Sequence, residues 1–136
     1  MGLLLQFVTM MKAFTLLSAI ALLTGCSTGY HSQNFFGNGF SEVKTSPDSF
    51  IVSFKGNGYS KTDKMMKYAL RRASELALEN GYKYFKIVHT METSNYTGST
   101  SSISKDPSFS IRIKCLAEKS NDPDEVDAEF FLTNNL

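Results

Sequence analysis

The chain has 136 residues, is 42% apolar and 12% aromatic, and carries a formal charge of +1, two cysteines and two histidines. Its length accommodates one domain, its near-neutral charge offers no electrostatic case for nucleic acid, and its aromatic content excludes a disordered polymer. The average hides a division: Lys12 is the only charged residue before Glu42, so the opening segment is a different kind of polymer from the rest.

The first element is Ala13–Leu23, AFTLLSAIALL, eleven uncharged residues following Lys12. A cation, a short apolar run and then small residues form the export-signal pattern. The run is too short for a bilayer span, which needs about 20 apolar residues. Extending it back through Gly2–Met10 would bury Lys12 in the membrane. We therefore read residues 1–25 as a signal peptide, with translation expected to begin at Met10 or Met11. The signal ends Leu23-Thr24-Gly25-Cys26-Ser27, which resembles the lipobox of bacterial lipoproteins. The resemblance implies cleavage between Gly25 and Cys26, a diacylglyceryl thioether on Cys26 and N-acylation, for example by palmitate. Two or three acyl chains give stable anchoring where one is marginal. Ser27 in place of Asp implies, by resemblance to Gram-negative sorting, an outer-membrane anchor facing the periplasm.

Cleavage would leave 111 residues with thirteen basic and thirteen acidic side chains. Cys115 would then have no partner for an intramolecular disulfide, so the core must hold the fold without one. Residues 26–38 read as an uncharged tether, with Phe35 and Phe36 docking its end. Residues 39–136 read as a single domain.

Gly39–Gly56 reads as a β-hairpin turning at Ser46-Pro47-Asp48-Ser49, with Phe50, Val52 and Phe54 on one face. Ser60–Asn80 reads as a helix, with a capping-box start at Ser60 and Asp63 and a buried stripe of Met65, Ala69, Ala73 and Leu76. Gly81 is its expected C′ residue. Tyr82–Glu92 reads as a strand with Phe85, Ile87 and His89 in phase. The polar run 93–105 reads as a flexible Ser/Thr loop. Ser108–Lys119 is the last expected strand, and its alternation puts Cys115 on the apolar face. In the tail, Asp122 as N-cap and Pro123 at N1 predict a helix through Leu132, with Val126 and Phe130 on one side. The fold class is α+β: a small antiparallel sheet with helices packed on one face, in the order β-β-α-β-β-α.

The candidate ligand site is the strand-to-helix turn holding Gly56, Asn57, Gly58, Ser60 and Lys61. Amides at a helix start can hold an anion, although the spacing matches neither nucleotide-loop pattern. A tight turn with an N-cap is the plainer reading. Lys64, Lys67 and Arg71 share a helical face that would suit a phosphate or lipid A contact, or simply face solvent. Two histidines and one cysteine do not make a metal site, no catalytic constellation emerges, and no cofactor is expected.

Gly39-Phe40-Ser41-Glu42, Phe50-Ile51-Val52-Ser53-Phe54, Gly56-Asn57-Gly58-Tyr59, Arg72-Ala73-Ser74-Glu75-Leu76 and Asn80-Gly81-Tyr82-Lys83-Tyr84-Phe85 together resemble a family of small proteobacterial lipoproteins first noted in Caulobacter. The resemblance implies a lipid-anchored envelope protein and carries no activity with it. The expected function is a non-enzymatic lipoprotein contacting an envelope protein or peptidoglycan. The alternative is a periplasmic small-ligand or anion binder using the 56–62 turn.

Overall fold

Alternating apolar residues and a proline-bearing turn build the first unit of the computed structural model, which describes Gly2 and residues 29–35, 37–99 and 102–135. Strands β1 (Gly39–Ser46) and β2 (Ser49–Lys55) pair antiparallel across Pro47-Asp48. The Asp48 carboxylate accepts from Ser46 Oγ at 2.8 Å and Ser49 Oγ at 2.9 Å, and these bonds hold its pKa below the ordinary range. Phe50, Val52 and Phe54 are all buried, as period-two alternation over a core requires.

Helix α1 (Thr62–Glu79) starts later than the capping box predicts: Lys61 is its N-cap, without a side-chain cap. Ser60 is occupied one turn earlier, where its Oγ accepts from the Asn57 amide at 3.2 Å and donates to Asn57 Oδ1 at 3.1 Å. Local side chain–backbone bonding of this kind competes with capping. The other end follows expectation. Gly81 adopts φ +82° and donates its amide to Leu78 O at 3.0 Å, while the Tyr82 amide reaches Ala77 O at 2.9 Å. This is a Schellman closure.

The buried side of α1 is Met65, Ala69, Ala73, Leu76 and Ala77. Alanines at i, i+4 and i+8 bring the helix axis close to the sheet, whose large residues (Phe54, Phe85, Ile111, Ile113) fill the space between. Ser74 is buried among them and satisfies its hydroxyl on Leu70 O at 2.9 Å.

Strands β3 (Tyr84–Ser99) and β4 (Ser102–Leu116) form a long hairpin, and β5 (Glu125–Asp127) borders β3. The sheet order is β1-β2-β4-β3-β5, with every pair antiparallel. Strand β4 thus lies between β2 and β3, which are joined through α1 as a split β-α-β unit. Helix α2 (Ala128–Asn135) packs chiefly against α1. The class is α+β.

Three expectations need correction. First, of the expected loop 93–105, residues 93–99 and 102–105 lie within strand pairing: Thr93↔Ser108 through Ser99↔Ser102 continue the β3–β4 ladder. The inner half fixes register, and backbone bonding carries the polar outer half along. Second, the ladder shifts register between Ile87 and His89, leaving Val88 as a bulge. The extra residue reverses the phase, so His89 sits opposite Arg112 on the exposed face and not with Phe85.

Third, the tail adds β5 before its helix, which changes the element order to β-β-α-β-β-β-α. Asp122 caps nothing: its carboxylate pairs with Lys86 Nζ and accepts the Asp124 amide at 3.0 Å. The cap of α2 is Asp127, whose Oδ1 accepts the Phe130 amide at 2.9 Å. Ala128 takes the buried position and Phe130 stays exposed, because the helix begins five residues later than Pro123 suggests.

Candidate functional site

The turn from strand β2 to helix α1 is tied to the fold by its own amides. Gly56 donates to Pro107 O at 2.9 Å, Ser60 to Asn57 O at 2.8 Å and Tyr59 to Asn57 Oδ1 at 3.2 Å. A Cβ at Gly58 would stand 2.6 Å from Ser104 Oγ, so the outer hairpin also closes over the turn. Of the five residues singled out there, Gly56, Asn57 and Ser60 form the turn, Gly58 faces the hairpin, and only Lys61 projects as an exposed cation. Amides already paired in this way leave little of the cradle that an anion needs.

Gly25 and Cys26 lie outside the described residues, as do Phe36 and most of the leader. Among the described residues no helix is long and apolar enough to cross a membrane. The described chain resumes at Gly29, and there it is docked. Ser32 bridges Phe40, Gln33 donates to Phe40 O at 2.8 Å, and Phe40 donates to His31 O at 2.8 Å. The docking side chain is Tyr30, where Phe35 was expected; Phe35 is 99% exposed. The Tyr30 ring lies 5.0 Å from Phe40 and 5.5 Å from Tyr68, with the Arg71 guanidinium 4.0 Å above it. Gly39 makes the passage possible: its φ is +113°, and a Cβ there would stand 2.5 Å from His31 O and 2.7 Å from Ser32 O.

An ion network locks the contact. The Tyr30 hydroxyl donates to Glu75, Arg71 Nε reaches Glu75 at 3.0 Å, and Arg72 bonds Glu75 at 3.2 Å, Glu79 at 2.9 Å and Glu42 at 3.0 Å. Burial pushes the Tyr30 phenol well above its ordinary pKa, and the Glu75 bond adds to the rise. Burial would raise Glu75, but the bonds from Tyr30, Arg71 and Arg72 outweigh it and hold the carboxyl low. For Arg72 the same balance runs the other way: burial opposes its charge and three carboxylates restore it. Glu42 and Lys44 therefore point inward from edge strand β1, toward Arg72 and Asn80.

Beside this network, α1 and the end of α2 enclose a cleft of about 340 Å³ lined by Lys64, Lys67, Tyr68, Arg71 and Asn135. The helical spacing of Lys64, Lys67 and Arg71 was readable in the sequence. Their union with Tyr30 was not, since its hydrogen-bond partner is 45 residues away. The local signal was a set of aromatic residues in an otherwise polar stretch, and it did not single out Tyr30 from Phe35 and Phe36.

Cys115 is buried, and burial pushes its thiol up to about 11, which fits an inert core residue. Among the described residues no group of three or more His, Cys, Asp or Glu side chains could hold a metal. Comparison with family models, curated proteins and solved structures returned no match.

Proposed function

We propose that the chain is a bacterial lipoprotein, held in the outer membrane through acylated Cys26, with a non-enzymatic domain that faces the periplasm and contacts an envelope protein or peptidoglycan. The lipobox-like Leu23–Cys26 and the apolar run before it carry the anchor half of this reading. The observation that carries the geometric half is the docking of Tyr30. A free tether would let the domain wander from its anchor. A chain pinned at Tyr30 by Phe40, Tyr68, Arg71 and Glu75 shortens the tether to the four residues that separate Cys26 from Tyr30 and so keeps the domain close to its anchor. A short tether suits a module that presents one surface to a partner, and the uncovered sheet face with Val43, His89, Met91 and Arg112 is the surface turned away from α1.

The mass of the mature N-terminal peptide and detergent-phase partitioning test the anchor. Wild type should carry acyl mass on Cys26 and partition with detergent, and Cys26→Ser should lose both. Unchanged partitioning in that variant, with no acyl mass on Cys26, overturns the reading. Crosslinking in the native envelope and co-sedimentation with purified peptidoglycan test the contact. Its loss on Val43→Asp together with Met91→Asp is expected, because both side chains are exposed on the open face.

A further inference from the structure

We propose that the cleft lined by Lys64, Lys67, Tyr68, Arg71 and Asn135 seats phosphate headgroups of an anionic bilayer, so that the anchored domain rests with this flank of α1 on the membrane. The orientation rests on acylation at Cys26; the cleft's preference for phosphate does not.

Two independent observations converge. The first is charge. Three cations at i, i+3 and i+7 line one concave flank of α1. Of the three, Arg71 is ion-paired with Glu75 at 3.0 Å, and Glu75 is also bonded by Tyr30 and Arg72. Lysine ammonium groups serve phosphate as compact point charges with three donors, and Tyr68 lines the same cleft. The Lys64 ammonium lies 5.5 Å from the Tyr68 ring centroid, so the cation and the aromatic ring share the same wall. Tyrosine is a residue type favoured where one end is apolar and the other wet.

The second observation is where the anchor would emerge. Tyr30 touches both Tyr68 and Arg71, two of the residues that line the cleft. Cys26 precedes Tyr30 by four residues, which span about 14 Å at full extension. An acyl chain on Cys26 enters the bilayer at the headgroup level, so the cleft cannot stand much farther from the phosphates than that reach. At this separation the cations lie within one to two Debye lengths of the surface, close enough to be drawn into contact with it, where each contributes about fivefold to partitioning.

The test uses the chain from residue 26 onward carrying Cys26→Ser, so that neither the apolar leader nor an acyl group drives binding, with vesicles of phosphatidylcholine alone or mixed with phosphatidylglycerol. Binding is expected on the anionic vesicles only, and it should weaken as salt is raised. Lys64→Ala with Lys67→Ala should reduce it about twenty-five-fold. Lys64→Arg with Lys67→Arg should retain it. Arg112→Ala with Lys114→Ala, on the opposite face of the sheet, should leave it unchanged, and thermal unfolding checks that each variant is folded. A second arm places the acylated wild type on the anionic vesicles and reads amine labelling, with Lys64 and Lys67 expected to be protected relative to Lys114. No preference for anionic vesicles overturns the proposal, and so does equal loss with the Arg112/Lys114 pair. Absence of acyl mass on Cys26 would overturn the anchor reading and leave the vesicle result to judge the cleft by itself.

Discussion

Two polar stretches of this chain read alike, and the fold orders them by different means. Residues 29–38 and 93–105 are both mostly polar or glycine, each holds a tyrosine, and both are poor in aliphatic side chains. The first is held through one aromatic side chain and an ion network: Tyr30 enters between Phe40 and Tyr68 and bonds Glu75. The second is held through its backbone, as the far end of the β3–β4 ladder, while Tyr96 and Ile103 stay 69% and 73% exposed. Composition tells whether a segment can order itself. It says nothing about what a neighbour offers, be it a register already set or a pocket already built.

The largest expected effect breaks the support under the second stretch. Phe85→Ala removes a fully buried ring at the inner end of the β3–β4 hairpin and should cost about 3–5 kcal/mol in urea unfolding. Amide protection from Thr93 to Ser99 should fall with it, since the outer ladder has no core of its own.

Gly39→Ala attacks the first stretch alone. Its Cβ would meet the backbone at His31 and Ser32 and demand a strained φ, at a cost of about 1–3 kcal/mol. Exchange at the Gln33 and Phe40 amides should accelerate while the hairpin stays protected.

Acid offers a reversible route to the same end. The Glu75 pKa is depressed in the folded chain, so its stabilising contribution is complete above the unfolded value. That contribution is lost as pH falls through the lower folded one. Tyr30 docking, followed by exchange at the Gln33 amide, should therefore loosen below the ordinary glutamate range. Glu75→Gln should flatten that response.

The smallest effect is the sharpest contrast. Tyr30→Phe keeps the ring and removes the bond to Glu75, for a loss of about 1 kcal/mol given its partial exposure. Tyr96→Ala should change stability by no more than about 0.5 kcal/mol, because an exposed tyrosine on a backbone-held ribbon contributes little.

Much of the core was legible because burial imposes a period. Phe50, Val52 and Phe54, the Met65–Ala69–Ala73–Leu76 stripe, and Cys115 in phase with Ile111 and Ile113 all follow from alternation or helical spacing, and all are buried. Gly81 was legible from its position after the helix. His89 was misplaced because one bulged residue reverses a strand's phase without marking the sequence. Ser60 and Asp122 each carry a good capping residue type, yet nearer partners, Asn57 for one and Lys86 for the other, claim them first. At the candidate site, the cations along α1 were visible, while the aromatic contact that sets the chain's exit beside them was not.

The sequence by itself determined the α+β class, the first hairpin, the long helix and its buried face, because each depends on residues a few positions apart. It also set the expectation of a lipid anchor at Cys26, a pattern contained in consecutive residues. Only the tertiary structure decided the strand order, the continuation of the β3–β4 ladder through 93–99 and 102–105, the displaced cap of α2, and the seating of Tyr30 over α1. Those depend on pairings across tens of residues, where the free energy comes from a surface that exists only after the rest has folded.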